Sequence, residues 1–171
     1  MIRSDKIILR APELKDLEKL YQWENDTSLW YLSNVNTPFS KFQLEQYILS
    51  AQQDIFAARQ LRLMIENNEH VLVGAIDLYD FDPIHLRAGV GIMIDQSFRK
   101  MGYASEALEL IKKYAFQTLH LKQLYCGITA DNIDSQLLFQ KQGYVACGIF
   151  SQWIRKDEQW IDEHRFQLIN E

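Results

Sequence analysis

Three observations predict a mixed α/β (α+β) fold whose central sheet is mostly antiparallel. From about Leu61 to Asp95, short runs of alternating apolar and polar residues are broken by turn residues, as in paired strands. A long amphipathic stretch from Tyr103 to about Leu119 then separates two strand-like runs, Arg87 to Asp95 and Leu124 to Ile128. Those two strands should therefore run parallel, with the helix as their crossover. Finally, Val145 to Arg155 and Trp160 to Ile169 read as a strand pair around the polar turn Lys156-Asp157-Glu158-Gln159.

The elements follow in order. Lys6 to Arg10 is a first strand, and Glu13 to Glu24 carries Leu14, Leu17, Leu20 and Tyr21 at helical spacing. Ser40-Lys41-Phe42-Gln43 matches a capping box, and Leu44, Tyr47, Ile48 and Ala51 share one face of the helix behind it. Leu61, Leu63 and Ile65 alternate with Arg62, Met64 and Glu66, Asn67-Asn68-Glu69 turns the chain, and Val71 to Leu78 returns as a hairpin. Tyr79 to Leu86 reads as an acidic, aromatic loop. In the crossover helix Ala104, Ala107, Leu108, Ile111, Ala115 and Leu119 form a broad apolar stripe. Asn132 caps a further helix, which Gly143 ends as a left-handed residue.

Composition narrows the function classes. At 171 residues, 47% apolar and 24% charged, the chain has the size and make-up of a globular domain with a full core, expected to occupy 1–171. Neither a bilayer-length apolar run nor a signal-peptide core is present, so a cytoplasmic location is expected, with no membrane partner and with Cys126 and Cys147 reduced. A net charge of −5 disfavours nucleic acid and leans toward a cationic substrate. His70, His85, His120 and His164 are scattered and no Cys-x-x-Cys occurs, so no metal site is expected.

The most informative stretch is Arg99-Lys100-Met101-Gly102-Tyr103-Ala104-Ser105, which joins the strand ending near Ile94 to the long helix. A strand that ends in a glycine turn, with a helix starting inside that turn, leaves several N–H groups unpaired and aimed at one point. The helix dipole and two basic side chains make a phosphate or pyrophosphate the natural guest. The spacing is neither that of a P-loop nor that of a dinucleotide fingerprint. It resembles the Arg/Gln-x-x-Gly-x-Gly/Ala signature of the GNAT superfamily of acetyl-CoA-dependent N-acetyltransferases, read here as Arg99, Gly102 and Ala104.

The helix from Asn132 to Gly143 resembles the second GNAT signature, with Asn132, Ser135, Phe139, Gly143 and Tyr144 in the expected order. Together the two signatures, with the N-terminal strand and helices, resemble the spermidine and ribosomal-protein N-acetyltransferase branches over nearly the whole chain. The resemblance implies a central sheet of about seven strands with one splayed strand pair, helices on both faces, and homodimers through the C-terminal strands. It further implies that acetyl-CoA sets its pyrophosphate on the amides of Arg99 to Ser105 and its pantetheine arm along Ile92, Met93 and Ile94, with Asn132 on the other wall. The N–H of Ile92 or Met93 would then polarise the acetyl carbonyl.

Phe139 stands where the family commonly has a tyrosine that protonates the departing thiolate, and a phenyl ring donates no proton. Tyr144 can replace it, water or the product ammonium can, or turnover is weak. Asp77 at a strand end, and Asp80, Asp82 and His85 in the loop after it, are candidate proton acceptors for the amine. Trp30 and Tyr31 are candidates for the acceptor side. The acceptor is read as a small (poly)amine, although Tyr31 to Thr37 contains no carboxylate to hold a polycation. A peptide N-terminus and a non-catalytic acetyl-CoA-binding module remain as alternatives.

Overall fold

The computed structural model describes residues 2–33, 35–50 and 54–171, so Ala51 on the second amphipathic helix lies outside the described residues. Among the described residues eight strands form one sheet: β1 (Ile2–Arg3), β2 (Ile7–Arg10), β3 (Leu61–Asn67), β4 (Leu72–Asp82), β5 (Arg87–Ile94), β6 (Gln123–Thr129), β7 (Val145–Lys156) and β8 (Gln159–Ile169). Their order across the sheet is β1-β2-β3-β4-β5-β6-β8-β7. Every pairing is antiparallel except β5 with β6, as the crossover argument requires.

Helices α1 (Leu17–Glu24), α2 (Trp30–Ser33), α3 (Lys41–Ser50) and α4 (Ile55–Ala58) precede β3, α5 (Tyr103–Lys113) joins β5 to β6, and α6 (Ile133–Lys141) follows β6. The capping box of α3 forms as its residues dictate: Gln43 N–H donates to Ser40 Oγ at 3.1 Å, and Ser40 N–H to Gln43 Oε1 at 2.8 Å. A π-helical turn, Tyr114–Thr118, prolongs α5.

Alternation along the strands builds two cores. Leu63, Ile65, Ile76, Leu78, Val90, Leu124 and Phe166 face α5, meeting Leu108 and Ile111 of its apolar stripe. Met64 and Ala75 face the opposite way, against Leu20 of α1 and Leu44 and Ile48 of α3. Helices thus cover both sheet faces, and each fully buried Leu or Ile stabilises the fold by roughly 1.5–3 kcal/mol.

Three readings change. The expected seven strands are eight, because the two-residue β1 pairs with β2 at Ile2↔Leu9 and Arg3↔Ile8, too short a run to show a period. The loop expected from Tyr79 to Leu86 is strand as far as Asp82, since Phe81 turns into the core at 3% exposure and its amide bonds Arg59 O at 3.0 Å. Asp77 accordingly sits in mid-strand, paired with Gly91, and not at a strand end. In the C-terminal hairpin the second strand, β8, lies inward against β6, and β7 takes the edge of the sheet.

Candidate active site

The turn between β5 and α5 leaves a run of backbone amides without backbone partners among the described residues. Asp95 caps the single 3-10 turn Gln96–Phe98, accepting from Ser97 N–H at 3.0 Å. The chain then passes through two left-handed residues, Lys100 at φ 63° and Gly102 at φ 87°, before α5 begins. In α5 the first backbone bond runs from Glu106 N–H to Gly102 O at 3.2 Å. The amides of Lys100 through Ser105 therefore have no backbone acceptor among the described residues. Left-handed residues interleaved along such a turn point successive N–H groups at a common centre, on the positive end of the helix dipole. A Cβ built on Gly102 would meet nothing within 4 Å, so the space over the turn is open to a ligand. Gln142 Nε2 donates to Ser105 Oγ at 2.6 Å and ties the start of α5 to the end of α6.

Beside this turn the sheet opens. The β5–β6 ladder runs only through Arg87↔Gln123, Ala88↔Leu124 and Gly89↔Tyr125, although β5 continues to Ile94 and β6 to Thr129. Past Gly89 the two strands form a fork with free inner edges. Asp95 N–H bonds Val73 O of β4 at 2.9 Å, and Met93 O also lies toward β4, close to Gly74. By alternation, Ile92 and Ile94 turn their backbone groups into the fork. Met93, grouped with them on the sequence, spends its backbone on β4. Arg99 Nε reaches back to Ile94 O at 3.2 Å.

α6 forms the neighbouring wall. Asn132 Oδ1 accepts from Ser135 N–H at 3.2 Å, which caps the helix and leaves the Asn132 NH₂ for a ligand. Gly143 takes φ 92° at the helix end, as expected. Phe139 and Tyr144 are both 3% exposed, with their rings edge to face at 5.0 Å. The Tyr144 hydroxyl is buried with no hydrogen-bond partner among the described residues. Burial, reinforced by Cys126 and Tyr79, pushes this phenol far above the ordinary tyrosine range, so it remains a neutral donor.

The carboxylates sort themselves by position. Asp82 accepts from the Ile84 and His85 amides and faces Arg87, and that β4–β5 turn lies at the closed end of the fork. Asp80 and His85 belong to the same end. Asp77 is level with the opening, but Arg62 claims both of its oxygens, Nε to Oδ1 at 2.7 Å and Nη2 to Oδ2 at 3.1 Å. Arg62 also pairs with Glu24 and lies over the Tyr47 ring. On the acceptor side, the Trp30 indole bonds Glu24 O, while Lys156 stands 4.6 Å over the Tyr31 ring and bridges α2 to the C-terminal hairpin. Tyr79, Glu163 and Arg165, which the sequence reading passed over, also cluster at the fork. The signal for them lay in glycines at alternate strand positions, Gly89 and Gly91, and in Gly127 on the parallel strand.

A turn with unpaired amides beside a fork between parallel strands is the arrangement the two signatures imply. The family model for the acetyltransferase (GNAT) domain matches residues 6–145. The chain belongs to the GNAT acetyltransferase family. Its GNAT relatives include the N-acetyltransferase YnaD of Bacillus subtilis, 24% identical over 99% of this chain and 97% of the relative. Spermidine N(1)-acetyltransferase of Vibrio cholerae is 24% identical over 85% of this chain and 82% of the relative. Ribosomal-protein-serine acetyltransferase of Escherichia coli is 21% identical over 87% and 84%. Among solved GNAT structures, spermidine N-acetyltransferase of V. cholerae in complex with CoA and spermine superimposes with a TM-score of 0.87, at 21% identity and covering 97% of this chain and 96% of that one. The mixed sheet, the fork and the flanking helices are thus the GNAT fold, and acetyl-CoA is the cosubstrate of this acetyltransferase.

Proposed function

We propose that this GNAT enzyme transfers the acetyl group of acetyl-CoA to a primary amine by direct attack in a ternary complex, with a small (poly)amine as acceptor. The observation that carries the reading is the run of unpaired amides from Lys100 to Ser105 at the end of the strand that borders the fork. Those amides, with Arg99 and Lys100, would bind the diphosphate, and the free edge at Ile92 and Ile94 would pair with the pantetheine amides as an added strand. The Ile92 N–H would stabilise the oxyanion, Asn132 would hold the arm from α6, and the Tyr144 hydroxyl would hydrogen-bond the departing sulfur in place of the missing tyrosine at Phe139. Most of the rate would come from holding amine and thioester in one geometry.

A cationic acceptor is supported by the net charge of −5 and by relatives named spermidine acetyltransferases. The relative named for a ribosomal protein supports acetylation of a peptide N-terminus as the second acceptor class. The reading includes a cytoplasmic location and pairing of two copies, for which the edge strand β7 exposes Val145, Ile149 and Trp153. Titration calorimetry should show saturable binding of acetyl-CoA, and a thiol-release assay should show turnover with at least one amine among spermidine, monoamines, amino sugars and peptide N-termini. No heat and no thermal shift with acetyl-CoA would overturn the assignment. Binding without turnover across the panel would leave only the inert module.

A further inference from the structure

The fork has a second face, turned away from α5, and its surroundings single out one carboxylate. The last β5–β6 pair is Gly89↔Tyr125, so on this face the first position of each open arm is a glycine, Gly91 on β5 and Gly127 on β6. What lies over this bare backbone comes from the outer strands. The Tyr79 ring crosses β5 so closely that a Cβ on Gly89 would sit 2.2 Å from it. From β8, the Glu163 carboxyl crosses β6 in the same way, 2.5 Å from where a Cβ on Gly127 would stand. Arg165 Nη1 holds Glu163 Oε1 at 2.7 Å. The guanidinium is itself wedged over the rings of Tyr125 and Phe150, at 5.6 and 5.1 Å, so the carboxyl cannot swing freely. Glu163 Oε2 has no donor among the described residues, and the side chain keeps 13% of its surface open to solvent. Asp77, level with the same opening, has both oxygens taken.

We propose that Glu163 is the carboxylate that receives the acceptor's ammonium at the fork and takes its proton, with Arg165 as the residue that positions it. This assignment rests on the acetyl-transfer reading above. The ligand class is a primary ammonium on a slim chain, since the walls on this side are glycine backbone and the rings of Tyr79 and Tyr125, which stand edge to face at 6.0 Å. The ammonium gives one proton to Glu163, which passes it to water. The freed lone pair forms the C–N bond to the thioester carbon while the carbonyl π pair moves to oxygen. When that double bond re-forms, the C–S bond breaks and the second nitrogen proton ends on sulfur. Ammonium and acetyl-CoA thus become amide, free thiol and one released proton.

The test compares the wild type with Glu163→Gln, Glu163→Asp, Gly127→Ala and Glu158→Gln, the last a control in the β7–β8 turn. The acceptor is whichever panel amine the wild type acetylates best. Glu163→Gln should lower kcat/KM for the amine by about 100-fold or more while acetyl-CoA binds within twofold of wild type. It should also remove one ionisation from the acid side of the pH profile, and Glu163→Asp should recover part of the rate. Gly127→Ala keeps the charge but displaces the flexible end of Glu163, and should cost about tenfold with the fold intact. Glu158→Gln should behave as wild type. A Glu163→Gln enzyme within threefold of wild type, with an unchanged pH profile, overturns the assignment and leaves the acetyl-transfer reading standing. A wild type that binds no acetyl-CoA or acetylates no amine takes down the reading first, and this assignment with it.

Discussion

At the scale of single residues, Phe139 and Tyr144 form one aromatic pair at the end of α6. Phe139 fills the place of the usual phenol with a ring that cannot donate, and Tyr144 packs against it with a buried hydroxyl that has found no protein partner. A buried hydroxyl without a partner costs about 1–3 kcal/mol, so it is out of keeping with a purely structural tyrosine. Tyr144→Phe should leave acetyl-CoA affinity unchanged and lower kcat about tenfold, measured by steady-state thiol release. Adding Phe139→Tyr to that variant should restore rate, and a double variant as slow as the single one would mean that the proton reaches sulfur another way. The substitution at 139 was legible in the sequence because its signature marks the position. That Tyr144 lies edge to face against it was not, because their contact depends on how the left-handed turn at Gly143 returns the chain.

At the scale of elements, the turn between β5 and α5 depends on backbone conformation more than on side chains. Gly102 holds φ 87° with open space above it, a conformation that costs an L-residue about 1–2 kcal/mol. Gly102→Ala should lower the melting temperature by a few degrees and weaken acetyl-CoA binding about tenfold, read by calorimetry of the free and loaded protein. A variant that loses stability but keeps affinity would show that the turn does not grip the diphosphate. This element could be read from the chain because glycine at a strand-to-helix turn has few physical explanations. The extension of β4 to Asp82 was missed because Asp80 and Asp82 look like loop residues, whereas Phe81 between them anchors the strand.

At the scale of the molecule, Asp95 fastens the N-terminal helices to the turn before α5. Trp23 Nε1 donates to its Oδ2 at 2.9 Å and Lys19 Nζ at 3.1 Å, while Ser97 N–H holds Oδ1. Burial alone would raise the carboxyl's pKa, but these three donors outweigh it and hold the group at about 2. A depressed carboxyl stabilises the fold above its unfolded pKa and loses that contribution as pH falls through the folded value. For Asp95 this amounts to roughly 2 kcal/mol, present above pH 4 and lost between about 4 and 2. Urea unfolding across that range should find wild type more stable than Asp95→Asn at pH 5, with the gap closing toward pH 2. A gap independent of pH would mean that the charge of Asp95 does not fasten the two parts. No helix among the described residues is long and apolar enough to cross a membrane.

The sequence alone determined the kinds of elements, the parallel crossover and the glycine turn ahead of α5, because period, capping and glycine placement are local properties that the chain carries wherever it folds. Only the tertiary structure decided which strand lies beside β6, where the fork opens, and which carboxylates stand in it. Those depend on residues as far apart as Arg62 and Asp77, or Gly127 and Glu163, meeting across strands whose register and order no local pattern records. For that reason Asp77 looked available from the sequence and is clamped by Arg62 in the fold.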